Sequence, residues 1–373
     1  MKVIFTIDSL AQGGTEQSIA EMIPHFTKKI EVVVVYFYNA HHLKNLYESI
    51  DCRLYYLDID EKYGFYDAIR KFNRVVKKEN PDVVVSSLYR SLIISRFVCW
   101  WTQTPLIGTF VNERYSPERR DRFKGFPVVK YYLTWFLDWV TAFIPQKIIS
   151  NSYSISLLNG RALGIGSNKI KVIYRGRDTR NYPIWKIPSE KNVFVWIAVG
   201  RLIPQKGYEN LLLAISELKK THPEVRLRII GEGPIREELE LQIKKLELHN
   251  EVFLEGNIPL GWKKLYDAHA FVLPSISEGF SGALVEACIT GIPIVASDIP
   301  MNTEAITHMR TALVHKLRDD KDLLDKMKFA IEHFTEMKEM GQTARIEALG
   351  KYDIRTISSQ YENQLQQFIA AKN

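Results

Sequence analysis

The stretch that most narrows the folds open to this chain is VLPSISEGFSGALVEACITGIPIVAS, from Val272 to Ser297. An apolar run, Ala270 to Leu273, stops at Pro274, whose ring removes a ladder donor and ends a strand. A second apolar run, Pro293 to Ala296, follows Gly291. Between them Ser281 stands at an N-cap position for a helix from about Gly282 to Thr290, with Glu278-Gly279-Phe280 as the preceding turn. Buried strand, tight loop, helix and second buried strand form the repeating unit of an α/β sheet.

That unit carries a chemical implication. A helix start presents unpaired N–H groups at the positive end of its dipole, so the loop from Gly279 to Gly282 suits an anion such as a diphosphate. Gly279 and Gly282 let the anion approach the backbone closely. Two carboxylates, Glu278 and Glu286, bracket this point. Carboxylates would repel a diphosphate and are better employed accepting hydrogen bonds from hydroxyls. On that reading Glu278 takes hydroxyls of a donor sugar and Glu286 those of a ribose; the alternative is a pair of solvated acids flanking a helix.

At 373 residues the chain is long enough for two domains, each with its own core. An apolar share of 46% with 25% charged residues is that of a globular protein rather than a disordered one. Cys52, Cys99 and Cys288 are too scattered for a disulfide framework or a metal spacing, and suit a reducing compartment. Met1-Lys2 runs straight into the strand VIFTI and Asp8 interrupts the apolar run, so no signal peptide is expected. No apolar run approaches the length of about eighteen residues that a spanning helix needs. The net charge of +7 permits attraction to an anionic surface without specifying which.

Taken in order, the chain opens with a strand, Gly13-Gly14 and a helix that Thr15 is placed to cap, with Glu16 in its first turn. This is a second candidate anion cradle. It lacks the G-x-G-x-x-G fingerprint, which disfavours a dinucleotide enzyme. Apolar β-branched runs (EVVVVYFY, CRLYYLDI, DVVVSS, LIGTF, KIISNS) then alternate with amphipathic helices, the pattern of a parallel sheet covered on both faces. After the strand KVIY, Pro183, Pro188 and a polar run mark a linker. Beyond it VFVWIAVGRLIPQKG places Arg201 and Lys206 just past the carboxyl end of a strand, the usual position for a phosphate in an open α/β sheet. Arg201 offers a fork to phosphate oxygens, and Lys206 a point charge.

One segment departs from this pattern. Arg114, Arg119, Arg120, Arg122, Lys124 and Lys130 outnumber Glu118 and Asp121, and Trp135, Phe136 and Trp139 follow. Cations beside interfacial aromatics are what a membrane-surface helix needs, and Arg90, Arg96, Trp100 and Trp101 are candidates for the same surface. The competing reading is a helix with core aromatics and solvated arginines. No nucleic-acid motif accompanies the basic residues, so a nucleic-acid partner is not expected.

Pro274-Ser275, Glu278-Gly279-Phe280, Glu286-Ala287 and Gly291-Ile292-Pro293-Ile294-Val295-Ala296-Ser297 together resemble the signature of the large retaining family of nucleotide-sugar glycosyltransferases with the GT-B fold, family four. Gly200-Arg201-Leu202 with Gln205-Lys206-Gly207 resembles that family's diphosphate-binding loop. The resemblance covers most of the chain and is closer in the second half. It implies an α/β protein of two Rossmann-like domains facing a central cleft: an acceptor domain at 1–180, a nucleotide-sugar donor domain at 190–352, and a C-terminal helix, 353–373, packed back on the first.

The resemblance also implies roles. Glu278 meets the transferred sugar and Glu286 the ribose. Arg201 and Lys206 grip the diphosphate together with Gly279, Phe280, Ser281 and Gly282, and the loop at Gly13 and Gly14 closes over it. Asn257 and Ile258, after Gly256, lie against the base, most often uridine. Where many members carry a histidine that assists the transferred sugar, Val111 to Glu113 stand here, so Glu113 and Arg114 become the catalytic candidates on that side. Asn112-Glu113-Arg114 with Pro117 is similar to the Ser-Glu-Arg-Asn-x-Pro stretch of members that extend polyprenyl-diphosphate-linked glycans. Relatives tend to carry Asn-Gly-x-Asp where Arg175-Gly176-Arg177-Asp178 stands; these arginines either meet an anionic substrate or are exposed.

The resulting expectation is a retaining, metal-independent hexosyl- or N-acetylhexosaminyltransferase. Its donor is a nucleoside-diphosphate sugar, UDP-linked first, and its acceptor a lipid-linked or other glycan in polysaccharide or glycoprotein glycan assembly. It is expected in the cytoplasm, peripheral on the inner face of an anionic membrane, with no cofactor. Asp58-Ile59-Asp60 has Asp-x-Asp spacing but follows a strand of the acceptor domain, so no metal is expected. A soluble small-molecule acceptor, a phosphorylase of the same fold and a non-catalytic binding subunit are the alternatives; the presence of both carboxylates and both cations argues against the last.

Overall fold

The computed structural model describes residues 1–11, 13–60, 64–116, 126–189 and 193–370. They form two compact units: Met1–Arg177 with Tyr352–Asn373, and Asp178–Lys351. The division falls at Arg177, three residues before the expected end of the first domain.

In the first unit the strands are β1 (Lys2–Ile7), β2 (Glu31–Tyr36), β3 (Arg53–Tyr56), β4 (Val83–Ser86), β5 (Leu106–Phe110), β6 (Lys147–Ser150) and β7 (Ile170–Val172). They pair in parallel in the order β3-β2-β1-β4-β5-β6-β7. The connecting helices are α1 (Gly14–Met22), α2 (Lys44–Glu48), α3 (Phe65–Glu79), α4 (Tyr89–Thr102), α5 (Phe126–Thr141) and α6 (Tyr153–Leu163). Val3 to Phe5 and Val33 to Val35 are fully buried, because helices cover both faces of the central strands.

The second unit has β8 (Phe194–Val199), β9 (Val225–Ile230), β10 (Val252–Gly256), β11 (Ala270–Leu273), β12 (Ile294–Ser297) and β13 (Leu313–His315), in the order β10-β9-β8-β11-β12-β13. Its helices are α7 (Tyr208–Leu218), α8 (Arg236–Lys245), α9 (Gly282–Thr290), α10 (Pro300–Thr303), α11 (Asp320–Glu332) and α12 (Phe334–Lys351). Both units are thus Rossmann-like parallel α/β folds.

The last helix, α13 (Ile354–Ala370), returns to the first unit. Ile354, Ile357, Tyr361, Leu365 and Phe368 share a core with Val3, Phe5, Ile23 and Val34. Glu362 accepts from the backbone N–H of Thr27 at 3.0 Å and from its hydroxyl at 2.6 Å. The chain entering α13 pairs with the chain leaving the first sheet: Arg177 N–H donates to Tyr352 O, and Ile354 N–H to Arg177 O, each at 2.8 Å.

Several local expectations change. Gly13, not Thr15, occupies the N-cap of α1, and no side chain caps it. The Glu16 carboxylate occupies the space a Cβ on Gly13 would need, so a side chain there would displace that carboxylate. Arg177 is buried rather than exposed, and its guanidinium reaches Glu21 at 3.4 Å. Arg96, expected on a basic surface, is fully buried.

The burial of Arg96 has a clear cause. Its Nη1 donates to Asp138 Oδ1 at 2.6 Å, to the Asp138 carbonyl at 2.9 Å and to Thr141 Oγ1 at 2.8 Å, which ties α4 to α5. Arg114, just past β5, donates to the other carboxylate oxygen at 2.9 Å, and the Tyr115 hydroxyl donates to it as well. Burial alone would raise the pKa of Asp138; the two guanidiniums outweigh it and hold the carboxyl below its usual value.

Asp138→Asn would leave Arg96 buried without its counter-charge, so it is expected to destabilise the fold by about 3–5 kcal/mol in urea unfolding. Because the folded-state pKa lies below the unfolded one, this contribution is present at neutral pH and is lost as pH falls through the folded value. Acidification should therefore narrow the gap between parent and variant.

Candidate active site

In the second sheet the strand order reverses between β8 and β11, and the crevice past the carboxyl ends at such a point is where open α/β sheets bind ligands. The chain leaving β8 carries Gly200-Arg201 and a short 3-10 turn, Pro204–Lys206; the chain leaving β11 carries Pro274 to Glu278. Both candidate segments therefore flank one switch point.

The two loops are held against each other by backbone contacts. Ile276 N–H donates to Gln205 O at 2.8 Å. Gly207 adopts φ +68°, and a Cβ there would lie 2.2 Å from Pro274 O, so the close approach depends on glycine. Within this frame Lys206 Nζ stands 2.6 Å from Glu278 Oε1, and Ser275 Oγ donates to the same oxygen at 2.7 Å. The Lys206 and Glu278 side chains are only 13% and 11% exposed. Tyr208, beneath them, donates to Gly200 O at 3.1 Å; burial, then the charge of Glu278, pushes its phenol well above the ordinary range.

The helix after this loop begins as expected. Ser281 is the N-cap of α9, its Oγ accepting from Leu284 N–H at 3.3 Å. The N–H groups of Gly282 and Ala283, in the first turn, lie outside the intrahelical ladder and point out of the helix start. Glu286, half-buried, is one turn further on and on the same face as Gly282. Arg201 is exposed and makes no ion pair among the described residues. Asn257 and Ile258 follow β10, at the sheet edge two strands from β8.

Residues beyond those expected complete the arrangement. Ser275 shares the Glu278 oxygen, and Tyr208 underpins the loop. At Gly231, past β9, a Cβ would meet Gly200 O at 1.9 Å. No sequence period marks Ser275 or Tyr208 as partners of the lysine and glutamate.

In the first unit the other candidates occupy separate settings. A Cβ on Gly14 would lie 2.4 Å from Arg175 Nη1, and Arg175 Nη2 is 3.4 Å from Thr15 Oγ1, so a guanidinium already stands over the start of α1. Glu113 is buried. Arg114 is engaged with Asp138 and lies 4.6 Å over the Tyr89 ring. Asn159 on α6 pins their loop, its amide donating to Asn112 O at 2.9 Å. Of the surface candidates, Lys130 is exposed and Trp139 is 48% exposed. Trp135 turns inward, its indole N–H donating to Ala162 O at 2.9 Å. Arg119, Arg120, Arg122 and Lys124 lie outside the described residues.

Two family models match the chain: "Glycosyltransferase Family 4" over residues 12–181 and "Glycosyl transferases group 1" over residues 180–347. The chain belongs to the family-four glycosyltransferases. The chain is 28% identical over 167 residues to the 2-deoxystreptamine N-acetyl-D-glucosaminyltransferase of Niallia circulans, a match over 44% of this chain and 43% of that one. It thus spans less than half the length of that relative. It is 24% identical over 313 residues to the N-acetylgalactosamine-N,N'-diacetylbacillosaminyl-diphospho-undecaprenol 4-alpha-N-acetylgalactosaminyltransferase of Campylobacter jejuni, covering 78% of this chain and 79% of that one. Its fold is that of the Anabaena protein HepE, whose crystal structure holds UDP: TM-score 0.84 at 21% identity, over 98% of this chain and all of that one. The architecture is accordingly GT-B.

Gly207→Ala puts a side chain into the left-handed region and against Pro274 O. It is expected to cost about 1–3 kcal/mol of stability. Urea unfolding would measure this, and a loss below that range would show that the loop relaxes without strain.

Proposed function

We propose that this glycosyltransferase moves a hexose or N-acetylhexosamine from a nucleoside-diphosphate sugar, UDP-linked first, to a membrane-associated glycan such as a polyprenyl-diphosphate-linked oligosaccharide, with retention of configuration. The observation that carries the donor side is the enclosed Lys206–Glu278 pair beside the start of α9. An ammonium and a carboxylate sharing one small space match a donor that has an anionic diphosphate and a hydroxyl-bearing sugar side by side.

As the sugar–phosphate bond breaks, negative charge develops on the departing diphosphate. Lys206, Arg201 and the first-turn N–H groups of α9 stabilise that charge without a metal. Entry of the diphosphate lets Lys206 exchange Glu278 for phosphate oxygens, and Ser275 keeps the carboxylate in position meanwhile. Glu278 orients the sugar by accepting from its hydroxyls and is not assigned as a covalent nucleophile. Glu286 accepts from the ribose hydroxyls, and Asn257 and Ile258 border the base. UDP as the carrier is supported by the nucleotide in HepE, and a lipid-linked acceptor by the named substrate of the Campylobacter enzyme. The named acceptor of the Niallia enzyme, 2-deoxystreptamine, supports a soluble acceptor as the second reading.

Purified protein incubated with a panel of sugar nucleotides should release nucleoside diphosphate without added inorganic phosphate; a strict phosphate requirement would instead indicate a phosphorylase. Lys206→Ala is expected to lower kcat by about 10²–10³-fold while the fold persists. An unchanged rate removes Lys206 from the mechanism.

A further inference from the structure

The outward face of α5 is unlike that of an ordinary solvated helix. At about 100° per residue, Val129, Tyr132, Leu133, Phe136 and Trp139 fall within an arc of roughly 120°. They are 48 to 63% exposed. Phe143, just past the helix, is 68% exposed, and it lines one groove with Trp100 from the end of α4. Single exposed apolar residues are normal on a protein surface, whereas a contiguous aromatic band calls for an occupant.

The rotation of the helix is not left to chance. Asp138 lies on the opposite side of α5, where Arg96 and Arg114 hold it in the interior. That clamp faces the aromatic arc outward, and inward rotation would bring Asp138 out of its pairing with two guanidiniums.

Charge decides between possible occupants. Residues 90–177 hold fourteen Lys and Arg against four Asp and Glu, whereas the rest of the chain holds thirty-six against thirty-nine. Arg96, Arg114 and Arg177 of that stretch are engaged in internal ion pairs and Glu113 and Asp138 are buried, which still leaves eleven against two, so the excess positive charge of the protein lies in the part of the sequence that contains α5. A second copy would set like charge against like, while an anionic surface would be attracted. We propose that α5 lies along an anionic lipid bilayer, with its aromatic arc at headgroup depth and the exposed Lys130 against lipid phosphates. The inference rests on the proposed acceptor class and deepens it: a protein seated this way meets acceptors carried on lipid in the plane of the membrane.

The test is co-sedimentation of the full chain with vesicles of phosphatidylcholine alone, and with one part in about three of phosphatidylglycerol, near 0.1 M salt, where charges still act over about 10 Å. Binding is expected to the anionic vesicles and to weaken as salt rises. The double variant Leu133→Glu with Phe136→Glu should bind at least about tenfold less. Leu241→Glu, at an exposed leucine of α8 in the other unit, should bind like the parent. If the double glutamate variant loses its thermal transition, Leu133→Ser with Phe136→Ser takes its place. Failure of the parent to bind anionic vesicles, or equal binding by parent and double variant, overturns the proposal. So does a parent dimer in solution that the double variant dissolves, since the face would then join copies of this chain. Nucleoside-diphosphate release in vesicle-free buffer is scored separately, so loss of the membrane seat and failure of the glycosyl-transfer reading are distinguishable.

Discussion

Two opposite charges with little access to water govern the second unit. Lys206 and Glu278 are 2.6 Å apart and largely covered, so each limits where the other can go. Lys206 ends a short 3-10 turn and Glu278 lies in a loop. Their placement depends on loops from β8 and β11, which must run side by side, and that in turn requires the two strands to be neighbours in the sheet. Glycine at Gly207 and the backbone bond from Ile276 to Gln205 bring the loops within reach. In the proposed transfer this pair is the resting arrangement: Lys206 exchanges the carboxylate for a phosphate, while Glu278 keeps a donor in Ser275.

The first unit uses buried charge differently. Asp138 receives two arginines and a tyrosine, and none of these contacts is arranged for exchange. Such a cluster costs desolvation and returns it only when every partner is present, which makes it a device for fixing geometry rather than for adding stability. Here it orients α5 and anchors the loop carrying Glu113 and Arg114. Arg114, a catalytic candidate by sequence, is paired with Asp138 in this arrangement.

Much of the fold was legible because parallel sheets impose strong local patterns. The runs VIFT, VVVV and FVLP are apolar on both faces, and few other structures accept them. The N-cap at Ser281 was likewise visible, since a hydroxyl before a helical pattern has few other uses. By contrast, Thr15 looked like a cap, but the helix already begins at Gly14, which puts Gly13 in the cap position. Arg96 and Arg177 read as surface cations, since nothing near them in sequence announces Asp138 or Glu21, which lie 42 and 156 residues away.

By itself the sequence determined most of the elements and the α/β class, since periodicity, capping and strand-ending residues act over a few positions. Which charges face one another was decided only by tertiary structure. The strand order brings Lys206 to Glu278 across 72 residues, and the packing of α4 on α5 turns Trp135 inward while leaving Trp139 outside. Burial and pairing are properties of neighbours in space, and no local pattern encodes a neighbour that arrives from a distant strand.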